Sequence, residues 1–191
     1  LFLPTQKMFI SDFHVDSHNR FYFGGIQNFT VMDKNGNVIK KYQESDGCSG
    51  IIVKFVELSD SRLAVIGSGS LIQVLNVGGD SVVVESIVKL PFFSTYDVLL
   101  ASDGKLYMAT DGDGLWRVDT DLSEKSEFEH ILSYGEQPKE LNKIYTMMQS
   151  ADNDIWLGTQ MGGVFRLSLD REKGVNYSSD FGLENMVVSD F

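Results

Sequence analysis

Cysteine is almost missing from this sequence. Cys48 stands alone among 191 residues, so no internal disulfide can form and the framework must rest on packing. Basic residues are also scarce, with 16 Lys and Arg against 27 Asp and Glu and a net charge of −11. No basic stripe is available to displace the counterions of a nucleic acid, which excludes that partner for this segment. Neutral or cationic ligands fit the charge, and an acidic polymer would demand a locally basic pocket. No apolar run approaches the roughly 18 residues a membrane helix needs, so membrane attachment is expected only through a parent protein. The opening LFLPTQ has no initiator Met and no basic-then-apolar leader, and it reads as the start of a piece of something longer. Sustained helical periodicity with caps is absent too. What is plentiful is apolar and aromatic: 42% hydrophobic residues, including 13 Phe and 7 Tyr, enough for a substantial core.

The chain also repeats itself. Lys105 to Val118 reads KLYMATDGDGLWRV, and 49 residues later Asp154 to Leu167 reads DIWLGTQMGGVFRL. Weaker copies are Arg20-Phe21-Tyr22-Phe23-Gly24-Gly25 and Arg62-Leu63-Ala64-Val65-Ile66-Gly67. Equivalent positions Phe21, Leu63, Leu106 and Ile155 are spaced by 42, 43 and 49 residues. A second register agrees, because MFISDF at 8–13 returns as MVVSDF at 186–191. Units in the forties, dense in Val, Ile, Phe, Tyr and Gly and with apolar runs too short for paired helices, predict propeller blades of four short strands.

In the third unit the inner strand is expected at Tyr96–Leu100, the turn at Ser102-Asp103-Gly104, the second strand at Leu106–Ala109 and the third at Leu115–Val118. Phe128–Leu132 is expected as the outer strand, although LSEKSEFEHIL can also be read as a short helix. The expected fold is all-β: a β-propeller fragment of about four four-stranded blades, excised from a larger, seven-bladed ring. Its divisions are 1–8, the tail of a preceding blade; 9–50, 51–93, 94–140 and 141–186, four blades; and 187–191, the inner strand of the next blade.

SDGKLYMATDGDGLWRVD and DNDIWLGTQMGGVFRLS resemble the repeat of the two-component regulator propellers, roughly D-x-x-G-x-L-W-x-G-T-x-x-G-L-x-R. Ile155 to Thr159 and Gly163 to Arg166 match it, while Tyr107 and Ala109 replace the Trp and Gly in the third unit. Gly182 to Val187 is similar to the family's G-L-P-x-N-x-V linker, with Glu184 in the place of Pro. The first two units match only in outline. The resemblance implies a periplasmic input domain of a hybrid two-component sensor, in which two propellers precede a membrane helix and a histidine kinase. It further implies a glycan-derived ligand, a second propeller as partner, and homodimer formation.

Several residues invite chemistry. Arg117 and Arg166 fill one slot of successive units and would grip oligosaccharide carboxylates bidentately; a repeated Arg equally suits a role inside each blade. Loop aromatics Tyr134 and Tyr177 are free to meet a ligand, whereas Tyr22, Tyr107, Trp116 and Trp156 are expected between blades as core. Asp111-Gly112-Asp113-Gly114 lacks the calcium-loop spacing and reads as a tight turn. Asp12, His14, Asp16 and His18 alternate in a pattern from which a His/Asp zinc site can be drawn, but Asp16 to Asn19 aligns with a turn. Ser150 to Trp156 is superficially similar to a sialidase Asp-box, lacks its Gly, and reads as an Asp/Asn turn. Cys48 takes a Leu slot and is expected as an inert buried thiol. No catalytic residue, metal or cofactor is expected. The resulting expectation is a non-catalytic sensor of polysaccharide breakdown products; a propeller lyase or glycosidase and a passive interaction scaffold are the alternatives.

Overall fold

The computed structural model describes residues 9–132, 139–169, 173–177, 182 and 187–190. Among these, four antiparallel four-stranded meanders account for all the named strands. Blade 1 is β1 (Asp12–Val15), β2 (Phe21–Gly24), β3 (Asn28–Met32) and β4 (Val38–Gln43). Blade 2 is β5 (Ile52–Ser59), β6 (Arg62–Gly67), β7 (Leu71–Asn76) and β8 (Val83–Lys89). Blade 3 is β9 (Thr95–Leu100), β10 (Lys105–Thr110), β11 (Leu115–Asp119) and β12 (Glu129–Leu132). Blade 4 is β13 (Ile144–Gln149), β14 (Ile155–Thr159), β15 (Val164–Ser168) and β16 (Lys173–Tyr177). Two 3-10 turns, Glu44–Asp46 and Lys139–Asn142, are the only helical pieces among the described residues. The segment ambiguous between helix and strand resolves as β12. Cross-strand pairing along an extended edge satisfies its backbone groups. Residues 187–190 carry no strand, although Val188 N–H donates to Thr159 O at 2.9 Å. The 1–8 tail and most of the linker from Leu183 to Met186 lie outside the described residues.

The turns follow from residue type. Asp16, Ala101 and Ser150 each donate N–H to the carbonyl four residues on, closing the first hairpin of blades 1, 3 and 4. The fourth turn residue adopts positive φ and is Asn19 (59°), Gly104 (77°) or Asn153 (65°), the residue types that tolerate it best. The Thr of the repeated motif has its own task. Thr110 Oγ1 donates to Gly114 O and accepts from Asp113 N–H, while Thr159 does the same with Gly163 O and Gly162 N–H.

The chain divides into two compact units, 1–90 and 91–191, each with two blades. In unit 1, Phe55 of β5 enters an aromatic nest on blade 1, with ring centroids 5.6 Å from Tyr22 and 5.7 Å from Phe29. Phe29 in turn stacks on Tyr42 at 4.4 Å. In unit 2, Tyr107, Ala109, Leu115, Met147, Ile155, Leu157 and Phe165 form the equivalent core.

Polar clasps reinforce both pairs. Asp12 accepts Phe55 N–H at 2.9 Å, and Asp97, in the same slot of blade 3, accepts Met147 N–H at 2.7 Å. At the opposite end of the inner strands, Ser17 N–H donates to Glu57 and Ser102 N–H to Gln149. Unit 1 adds a buried ion pair. Asp16 accepts from Arg20 Nε at 2.7 Å and from the Tyr22 hydroxyl at 2.9 Å, while the Arg20 guanidinium reaches Gly79 O and Val77 O on blade 2.

Candidate ligand-binding site

Arg117 and Arg166 lie opposite an aromatic on the adjoining strand. Arg117 faces Tyr107 across β10–β11, and Arg166 faces Trp156 across β14–β15. Each guanidinium sits over that ring, 5.9 Å and 5.6 Å from the centroid. Arg117 also donates to Glu129 and to the Tyr107 hydroxyl, whereas Arg166 donates to Asp154 at 2.5 Å. Both therefore spend donors inside their own blade. Tyr177 stacks on Trp156 at 5.4 Å, so ring and guanidinium cover the same indole. Tyr134 lies outside the described residues. The aromatics expected as core divide: Tyr22 and Tyr107 are fully buried, whereas Trp116 and Trp156 are only partly buried. Trp116 stacks on His130 at 4.1 Å and meets Phe92 at 5.3 Å, and its indole N–H donates to Asp113 O.

The other candidates disperse into structural duties. Asp111 pairs with Lys143 at 2.7 Å, and Asp113 serves the turn. The side chains of Asp12, His14, Asp16 and His18 do not converge: Asp12 holds Phe55 N–H, His14 lies 3.5 Å from Glu57, Asp16 holds Arg20, and His18 sits in the turn beside Ser17. No group of three metal-capable side chains occurs among the described residues. In 150–156, Asp154 neutralises Arg166 and Asn153 makes the turn. Cys48 is buried beside Gln73, and burial first, then the Asp46 charge, pushes its thiol up to about 12.

One cluster in unit 2 stays partly exposed although its members partner one another. Tyr96 on β9 and Tyr145 on β13 occupy the same inner-strand slot, one residue before the paired positions Asp97 and Thr146. Their rings meet edge to face at 5.1 Å, at the end of the strands nearest the β10–β11 loop. Asp111 and Lys143, joined also by an isolated backbone bridge, bring an ion pair to the same place. Lys143 holds the Asp111 carboxyl below its usual value, and burial together with the Asp111 bond raises the Tyr96 hydroxyl. Phe93 enters this end of β9 with 78% of its surface exposed, and Met161 on the β14–β15 loop is exposed as well. Aromatic rings half open to water, a tethered cation and a carboxylate are the elements that stack on and hydrogen-bond a polar ring. Sequence reasoning missed the cluster because Tyr and Lys on loop borders are common. Aligning the inner strands, which sets Tyr96 on Tyr145, is the signal that finds it.

No family model matches the chain, and no curated protein does. Solved structures do. The β-propeller domain of Cps50 (Swd1) from Myceliophthora thermophila superimposes with a TM-score of 0.66 at 12% identity, over 91% of this chain and 59% of that one. The extracellular domain of the putative hybrid two-component system BT3049 from B. thetaiotaomicron gives 0.66 at 16% identity, over 94% of this chain and 23% of that one. The WD40 propeller domain of Doa1 gives 0.65 at 14% identity, over 88% and 54%. The chain thus spans between about a quarter and three-fifths of these proteins. At such identities the likeness establishes the β-propeller fold, the fold into which four meandering four-stranded blades belong.

Proposed function

We propose that this segment is a non-catalytic, extracytoplasmic sensor module, four blades of a larger ring, that recognises oligosaccharide fragments through the Tyr96–Tyr145–Asp111–Lys143 cluster. The observation that carries the reading is the partly exposed aromatic and ionic cluster at one end of the inner strands, in a chain whose motif residues Thr110, Arg117, Thr159 and Arg166 bond within their own blades. The blade motif and the likeness to a hybrid two-component ectodomain support a signalling role. Signal would arise from differential affinity of the ligand for two arrangements of the parent protein.

The test is a thermal-shift screen of the complete parent protein against oligosaccharide fragments, with Tyr96→Ala and Lys143→Ala beside it. A fragment at a hundred times its Kd stabilises by about 2.7 kcal/mol, a shift of several degrees, and both variants should lose that shift relative to their own unliganded Tm. Ligand shifts unchanged in both variants would remove the cluster from the reading. Turnover of any fragment, seen as new reducing or unsaturated ends, would replace the sensor with an enzyme.

A further inference from the structure

One joint is built twice with different chemistry. In unit 1, Ile26 on the β2–β3 loop forms an isolated antiparallel bridge with Ile51, the residue before β5. In unit 2, Asp111 on the β10–β11 loop forms the same bridge with Lys143, the residue before β13. Backbone donors close both joints alike. Gln27 N–H reaches Gly50 O at 2.7 Å, as Gly112 N–H reaches Asn142 O at 2.9 Å. Ser68 N–H reaches Ile51 O at 2.7 Å, as Gln160 N–H reaches Lys143 O at 3.1 Å. Two isoleucines therefore suffice to build this joint, and they do so while 53% and 41% exposed. The charges of Asp111 and Lys143 are not an architectural requirement, which leaves them for another task.

The surroundings of the pair say which ligands it can serve. Asn142 O accepts Gly114 N–H as well, at 3.0 Å, so both ends of the β10–β11 loop are fixed. Tyr96 and Tyr145 each stand at a β-bulge, where the ladder steps from Thr95 to Asp97 and from Ile144 to Thr146. A bulged residue is released from the regular pleat, which re-aims its side chain. Asp111 is held from two sides, by the Lys143 ammonium at 2.7 Å and by the Tyr96 hydroxyl. With the ammonium neutralised, the pair has no net charge to offer an anion. A ligand carboxylate would have to displace Asp111 or sit beside it as a second like charge. Two neighbouring hydroxyls of a neutral ring meet no such conflict. One donates to the carboxylate while the other accepts from the ammonium, and both bonds are charge-assisted.

We propose that this site selects neutral polyhydroxylated rings over acidic ones, and that Asp111 sets the choice by occupying the Lys143 ammonium. The inference rests on the reading of the cluster as an oligosaccharide site, and adds the charge class of the ligand to it. The two tyrosine rings supply the stacking surface, and the ion pair reads two hydroxyls. Asp111 is thus a specificity-determining residue. Loss of its charge alone should convert a site for neutral rings into one for uronates.

The experiment uses the complete parent protein, its Asp111→Asn variant, and a double variant carrying Asp111→Ile and Lys143→Ile. Each is melted with neutral tetrasaccharides of glucose, xylose and galactose, and with the tetrasaccharide of galacturonic acid. The parent protein should bind at least one neutral fragment about tenfold or more tightly than the uronate, and Asp111→Asn should reverse the order. The double variant should melt within a few degrees of the parent, as the Ile26–Ile51 joint implies, and bind neither class. A ligand-free arm follows acetylation of Lys143 by a sulfonated N-hydroxysuccinimide ester at pH 8, read by peptide mass spectrometry. Because Asp111 holds the proton on that amine, Asp111→Asn should react about fivefold faster or more. Uronate bound as tightly as every neutral fragment, or acetylation unchanged in Asp111→Asn, would overturn the charge selection and leave the oligosaccharide reading standing. A double variant that fails to fold would make the ion pair structural and overturn the inference as well. No shift with any fragment would remove the oligosaccharide reading, and the inference with it.

Discussion

Asp97 ties the two inner strands of unit 2 together. Its carboxylate accepts Val98 N–H through one oxygen and Met147 N–H through the other, at 2.8 and 2.7 Å, and so staples two inner strands. A hydrogen bond to a charged group is worth about 1.5–3 kcal/mol, and the half-buried setting lets water recover part of that. Asp97→Ala should therefore cost about 2–4 kcal/mol. Asp97→Asn keeps one acceptor and turns an NH2 toward the other amide, so roughly half the loss or more should remain. For a chain of this length the Ala variant should melt about 5–15 °C lower. Urea denaturation followed by tryptophan fluorescence reads the right region, because Trp116 and Trp156 both lie in unit 2. Asp119→Asn is the control: its pair with Lys105 is exposed, and such pairs contribute under about 1 kcal/mol. If Asp97→Ala cost no more than that control, the stapling argument would fail, and with it the pairing of blades 3 and 4 by polar clasps.

Other outcomes follow from the same geometry. Burial raises the Asp16 carboxyl, but bonds from Arg20 and Tyr22 outweigh it and hold the group below its ordinary value. Its contribution is complete above pH about 4 and lost as pH falls through the lowered value, so Asp16→Asn should flatten the acid limb of a stability–pH curve. Cys48, with its thiol near 12, should resist a thiol reagent at pH 8 until the fold is opened by denaturant, and then react fully. Gly114→Ala sets a methyl 1.9 Å from Leu132 O at φ 68°, whereas Gly104→Ala at φ 77° meets open space. The first should cost at least about 3 kcal/mol and the second about 1, measured by chemical denaturation.

Much of the architecture was legible in the order of residues. The period, the strand positions in blade 3 and the Gly and Asn turns follow from local rules, because hairpins are made by neighbours in sequence. Apolar side chains at Leu106 to Ala109 announced a strand covered on both faces, and they are fully buried. The motif residues were legible as repeated, but not in their tasks: that Thr110 ties a turn, that Arg117 covers Tyr107, or that Asp12 and Asp97 serve the next blade. Those partners lie 3 to 50 residues away and depend on which face a strand turns to its neighbour. The Tyr96–Tyr145 cluster belongs to the same class. A sequence states which side chains are apolar, charged or turn-forming; only the packing of one sheet on another decides which of them are used up and which are left for a partner.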